Sequence, residues 1–447
     1  MCSAAYINCY VRWLKNTEKT LKGVCMKKAA LAILILFIAA GVAFAQEPPN
    51  RGKYIKLEEH DWSLDWTYDF SHPEVMSREN ISDTALGFSK VLDHSLDYAI
   101  RQATGGKHGD YMGAMIITAF TTGIMEHTLS VSEHEMGHLQ VWSRAGIGSD
   151  HFTFYDTKDR PHHVSNLFDT WREVWQDSQG LQGASIGLDA SGYNELYANP
   201  DFAGHFTEIE IMIEAGGLNQ MQYSLERISN RIYAGEGHIL DGPGWLWRMN
   251  DTLLYNTKMD NSDIMDYLKD LKKLGINSNV SHVKNTSLLR YLSGSSMAMY
   301  TGVYNFFDHG ETKIAPPFTW WPEFGTYLTT HGPTVKIQKP VRDHGATLEP
   351  SLQFSLDDTK HEEYGLHFED RWTDSLKVKF GGFVNRANGY WLDGGATLSP
   401  FPWLDLGLGC DYGRGWTYER EINGKAFWFA DKTELSVKGT VSIFFRF

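Results

Sequence analysis

Two histidines four residues apart, with a glutamate beside the first, are the residues of this chain best suited to chemistry: His134-Glu135-Met136-Gly137-His138. On a helix, residues four apart stack on one face, so both imidazoles can reach one zinc ion. Glu135 then stands beside the metal, where a carboxylate can take a proton from a metal-bound water. The string predicts a zinc-dependent peptidase. His134 and His138 are its neutral ligands, and Glu135 is its general base and then the proton donor to the leaving amine.

The element that must carry the string is legible upstream. Residues 111–125 are apolar and compatible with a helix, and no proline interrupts the run through Glu126 and His127 into the motif. His127, His134 and His138 share one side of such a helix, because seven residues is close to two turns. The segment 84–103 has Leu86, Phe88, Val91, Leu92, Leu96 and Ile100 at helical spacing. Residues 146–198 read as a loop-rich stretch that contains His162-His163. Asn199-Pro200 reads as an N-cap and first helical residue, starting a helix that runs through Glu208, Glu210 and Glu214. Further helices are expected from Gly242-Pro243 and over Ile264 to Leu274.

A catalytic zinc takes three protein ligands and a water. The pattern with a third histidine six residues after the second is not followed, since Arg144 occupies that place. Carboxylates must therefore complete the set. Glu195, in Asn194-Glu195-Leu196-Tyr197-Ala198, has the look of a zinc-binding glutamate ahead of a helix. Glu210 and Glu214 are four apart and could supply a ligand and its supporting partner. Asp241, in Leu240-Asp241-Gly242, opens the next helix. The spacing leaves Glu214 and Asp241 as equal metal-ligand candidates beside His134 and His138.

His134-Glu135-Met136-Gly137-His138, followed by Arg144-Ala145-Gly146, resembles the first motif of the site-2 protease family. Ala215-Gly216-Gly217-Leu218-Asn219-Gln220 is similar to that family's Ala-Gly-Pro-containing segment, with Gly in place of Pro. Leu240-Asp241-Gly242 resembles its Leu-Asp-Gly motif. The resemblance covers roughly residues 111–250. It implies a zinc peptidase of the HExxH type with Asp241 as third ligand.

The chain has 447 residues and a net charge of −14, enough length for more than one core and the wrong sign for general nucleic-acid binding. Residues 26–45 have a basic start (Lys27-Lys28), an apolar run and Ala43-Phe44-Ala45, the form of a secretory signal. Residues 1–25 read as an extension ahead of it, and 46–80 as an extended lead-in. Beyond residue 45 the one cysteine is Cys410, so no disulfide can form within the exported chain.

From residue 334 the periodicity switches from helical to alternating. Leu348, Pro350, Leu352, Phe354 and Leu356 alternate with polar residues. So do Leu404, Leu406, Leu408, Cys410 and Tyr412, and Val437, Gly439, Val441, Ile443, Phe445 and Phe447. About eight such segments end in a terminal Phe, with Trp372, Tyr390, Trp391, Trp403, Trp416 and Trp428 among them, which resembles an outer-membrane β-barrel. The expected fold class is α+β: a mainly helical zincin-like domain over 81–330, then an antiparallel β-domain over 334–447 of small-barrel type. The expected setting is the outer membrane or periplasm of a Gram-negative-type bacterium, with a protein or peptide substrate. The competing expectation is a non-catalytic envelope protein with a structural or vestigial metal site.

Overall fold

The computed structural model describes residues 61–69, 77–144, 147–155, 161–176, 185–199, 204–255, 257–258, 262–317, 321–343, 346–357, 362–373, 375–385, 389–414, 421–422, 425–426 and 433–446. The signal-like segment, Ala145-Gly146, Trp416, Trp428 and Phe447 lie outside these residues.

Among the described residues there are nine α-helices: α1 (Arg78–Thr104), α2 (His108–Arg144), α3 (Leu167–Gln176), α4 (Ala190–Ala198), α5 (Phe206–Ala234), α6 (Asp241–Leu254), α7 (Asp263–Lys273), α8 (Val280–Leu288) and α9 (Gly294–His309). The strands are β1 (Asp61–Asp69), β2 (Phe152–Tyr155), β3 (Pro161–His163), β4 (Ser185–Leu188), β5 (Gly237–His238), β6 (Lys313–Ile314), β7 (Glu323–Thr329), β8 (Gly332–Gln338), β9 (Val341–Asp343) and β10 (Ala346–Ser355). They continue with β11 (Glu362–Thr373), β12 (Leu376–Asn385), β13 (Tyr390–Phe401), β14 (Leu404–Arg414), β15 (Glu421–Ile422), β16 (Lys425–Ala426) and β17 (Thr433–Arg446). The chain is α+β.

The helix ends follow from local chemistry. Ser77 caps α1 by accepting from the Asn80 backbone N–H at 3.1 Å, and Gly105 closes it in the left-handed conformation. The stretch 146–198 is more ordered than its turn residues predict: β2, β3 and β4 form a small antiparallel sheet in the order β3-β2-β4. Asn199 is the C-cap of α4, the expected first helical residue Pro200 lies outside the described residues, and the next described helix, α5, begins at Phe206.

Helices α2 and α5 cross at the centre of the helical domain, with α1 and α6 packed on them. Much of this interior is polar. Arg248 on α6 is fully buried and donates to Glu126 at 2.9 Å and to Glu133 at 2.8 Å, both on α2. Removing the cation from such a buried set costs about 3–5 kcal/mol, because two charges would lose their partner. The helical stripe of the 84–103 segment is buried only at its start: Leu86 is buried and Phe88 packs on the core, but farther on Asp93, His94, Asp97 and Arg101 are buried while Val91, Leu92, Leu96 and Ile100 are partly exposed.

The large sheet has ten strands in the order β1-β17-β14-β13-β12-β11-β10-β8-β7, with β9 also paired to β10. It begins at Glu323, ahead of the periodicity switch near 334, and the lead-in contributes β1, which pairs antiparallel with β17. Among the described residues β1 and β7 do not pair with each other, so the path is open. Its outward face is apolar and uncovered among the described residues: Leu366, Phe380, Leu392 and Leu408 are each more than half exposed. Its inward face buries Gln353, Glu363, Asp411 and Lys438. The first turn of α1 presses on that inner face, where Lys438 meets Glu79 at 2.8 Å and Asp411 at 3.5 Å.

Candidate metal centre

Helix α2 buries both histidines of the motif on its face toward α5 and α7. His134 Nδ1 lies 3.0 Å from Asp251 Oδ2 on α6, and His138 Nδ1 lies 2.6 Å from the carbonyl of Ile213 on α5. Each Nδ1–H has an acceptor, so each Nε2 is left with its lone pair turned the other way. Both Nε2 atoms face Asp263 Oδ2, at 2.9 Å from His134 and 3.3 Å from His138. His134, His138 and Asp263 offer ligand atoms that all lie within 4.8 Å of one another. Two neutral imidazoles and one carboxylate suit a zinc ion, and the hydrogen bonds on the far nitrogens fix the tautomers that ligation needs.

Gly217 on α5 completes the cradle. A Cβ there would stand 2.4 Å from His134 Nε2 and 2.7 Å from His138 Nε2. A zinc–nitrogen bond is about 2.0–2.1 Å, so only glycine leaves the space between the two nitrogens open. Tyr255, at the end of α6, stacks on His134 with ring centroids 5.7 Å apart and donates to Asp263 Oδ2 at 2.5 Å. Glu135 is buried beside the pair and hydrogen-bonded by the backbone of Ile186 on β4. Burial raises its carboxyl, against the pull of His138 and His134.

The other candidates fall elsewhere. Asp241 is the first residue of α6 and pairs with Arg231 at 2.6 Å while accepting from the His238 backbone N–H at 2.8 Å. Both its oxygens are occupied by local structure, and it is not one of the three clustered residues. Glu214 lies one turn ahead of Gly217, close enough for the Asp263 charge to act on it. Burial first, and that charge second, push its carboxyl up to about 8. It borders the centre without joining the cluster. Glu210 is drawn to Lys273 at 3.5 Å, and Glu195 to His151 at 3.4 Å. His127 stacks on Trp247 at 4.3 Å.

Asp263, Asp251 and Tyr255 escape a reading of the sequence. Asp263 follows Ser262 at a helix start, where an acidic residue ordinarily serves the helix itself. Ser262 stands at the N-cap position without a side-chain cap hydrogen bond, so the local pattern gives no signal that Asp263 turns to the histidines. No protein-family model matches the chain, and no curated protein matches it.

Without metal the cluster is an ion pair. For Asp263, burial opposes the charge, yet the His138 charge and the hydrogen bonds from both histidines hold the carboxyl well below the usual range. For His138, burial again opposes the charge, and Asp263 overcomes it and pushes the imidazole up to about 9. A raised histidine stabilises fully below its ordinary 6.5, and that contribution is lost as pH rises through about 9. A lowered carboxylate stabilises above its ordinary 3.8 and loses its contribution as pH falls below that value. In chelator-treated protein the cluster therefore supports the fold best between these two ordinary values. Melting temperature against pH is expected to fall from 6.5 to 9.5, and the fall is expected to flatten in Asp263→Asn; parallel curves would contradict the pairing.

Proposed function

We propose that the chain is a zinc-dependent peptidase held at an outer membrane, with its site in the helical domain and its large sheet set against lipid as a barrel-type wall. The observation that carries the peptidase reading is the convergence of His134 Nε2 and His138 Nε2 on one Asp263 oxygen, with Glu135 buried alongside. A bound zinc ion would supply Lewis acidity, polarising a scissile carbonyl and making water more acidic. His134, His138 and Asp263 would hold it. Asp251 and the Ile213 carbonyl would keep both imidazoles in the ligating tautomer. Glu135 takes the proton from the attacking water and returns it to the departing amine. Its raised affinity for protons suits both steps, because a carboxylate in the ordinary range is a weak base. Among the described residues strand β4, whose backbone touches Glu135, lies at an edge of its small sheet, which supports pairing with an extended peptide as the mode of substrate binding.

The membrane reading rests on an inverted surface. Leu366, Phe380, Leu392 and Leu408 face outward from strands whose inward positions carry Glu363, Asp411 and Lys438. Water would favour the reverse, whereas a barrel in lipid requires this order. On α2, Ile117, Phe120 and Ile124 are exposed along one face as well. No described helix is long and apolar enough to cross a membrane.

Two measurements test the two halves. Purified full chain is expected to contain about one zinc, retained in Glu135→Gln and lost in His134→Ala and Gly217→Ala. Peptide cleavage is expected to fall by about 10²- to 10⁴-fold in Glu135→Gln. Full zinc with no cleavage of any peptide by the wild type would leave a structural metal site, and no zinc at all would remove the reading. Leu392→Arg is expected to cost about 2–4 kcal/mol when the chain is folded in vesicles, the cost of a cation near mid-bilayer. A negligible cost, with the wild type soluble and monodisperse without detergent, would contradict the lipid-facing wall.

A further inference from the structure

Arg290, in the single 3-10 turn between α8 and α9, is a buried cation that no carboxylate among the described residues meets at ion-pair distance. The residue is 2 % exposed; Nη2 donates to the Thr326 carbonyl at 3.1 Å, while Nε and Nη1 have no hydrogen-bond partner. The carboxylates whose charges act on it make their contacts elsewhere: Asp251 with His134 Nδ1 at 3.0 Å, and Glu226 with Lys336 at 2.9 Å. Burial pulls the guanidinium down to about 10 in spite of their attraction. An arginine that keeps its charge in such a place requires a negative partner.

The side chain lines a cavity of about 10 Å³ between α5, α8 and β7, bounded also by Leu218, Thr286, Thr326 and Leu328. Arg290 is the one charged residue in that lining, and no carboxylate faces the space. Thr326 belongs to the same lining, and its hydroxyl is buried and also lacks a partner. Thr286 and Ser287 spend their hydroxyl protons on the carbonyls of His282 and Val283. What remains is a pocket with spare donors from a guanidinium and a hydroxyl, and room for one water-sized guest.

We propose that this cavity is a binding site for a single monatomic anion, a halide, held between the Arg290 guanidinium and the Thr326 hydroxyl. A phosphate or sulfate is too large for the space. A second cavity of about 10 Å³, which Arg290 also lines, is different in kind: Glu226, Glu323 and two glutamines supply it with acceptors, and its free Gln222 and Gln338 oxygens repel an anion. The halide site shares no lining residue with the metal centre; Asp251, which contacts His134, also acts by its charge on Arg290.

The test uses the full chain at fixed sodium concentration and ionic strength, with chloride replaced stepwise by gluconate. Melting temperature is expected to rise with chloride by a few degrees along a saturable curve. Arg290→Gln is expected to abolish the dependence. Thr326→Val, which keeps the cation and the fold, is expected to raise the half-saturating chloride about tenfold. Crystals grown in bromide are expected to show an anomalous peak between Arg290 and Thr326. Equal melting in chloride and gluconate, a chloride curve unchanged in Thr326→Val, or ordinary water density in place of the peak would each overturn the proposal.

Discussion

The close crossing of α2 and α5 is the contact on which the rest of the helical domain depends. A Cβ on Gly137 would stand 2.4 Å from the Gly216 carbonyl oxygen, and one on Gly216 would stand 2.7 Å from the Gly137 oxygen. Two glycines facing each other let the helix backbones touch where any larger pair would hold them apart. That closeness brings the Ile213 carbonyl within reach of His138 and lays Gly217 under both imidazoles. Substitution at either glycine would do more than crowd the core, since packing that cannot relax typically costs about 1–3 kcal/mol. It would also separate the two halves of the cluster.

Around that crossing the protein is built from polar contacts in places where most proteins use apolar ones. Arg248 ties α6 to α2 through Glu126 and Glu133, and Glu133 sits directly before His134 in the chain. Ser224 on α5 donates to the same glutamate and meets Ser82 of α1 at 2.7 Å. Such networks are costly when broken and specific when complete, so they fix the register of four helices at once. The same preference continues into the sheet, where Lys438 gathers Glu79 and Asp411 beneath strands whose outer residues are apolar. Interior polarity and outer apolarity are two sides of one arrangement.

The parts legible in the sequence are those set by local rules. The period of four placed His134 and His138 on one helix face, and alternation located β10, β14 and β17. Leu240-Asp241-Gly242 looked like a ligand because its residue types match, yet Arg231 and the His238 N–H absorb its carboxylate. Asp263 looked like an ordinary helix start, and only the packing of α7 against α5 carries it to the histidines. Nor could the 84–103 stripe show its direction: spacing identifies a helix, but which face is buried depends on what waits on the other side. Asp97 and Arg101 went inward because they hold each other at 3.0 Å and Arg101 also reaches Thr312 at 2.8 Å.

The proposed metal centre depends on Asp263 as its carboxylate. The most direct measurement is zinc affinity by competition with a chelating dye, in wild type and in Asp263→Asn, Asp241→Asn and Glu214→Gln. The geometry predicts a loss well beyond a hundredfold in Asp263→Asn, more than supporting partners usually contribute. Asp241→Asn is expected to bind as the wild type does, and Glu214→Gln to change it by tenfold at most. Unchanged affinity in Asp263→Asn, with loss in Asp241→Asn, would contradict the centre described above and place the third ligand at the start of α6.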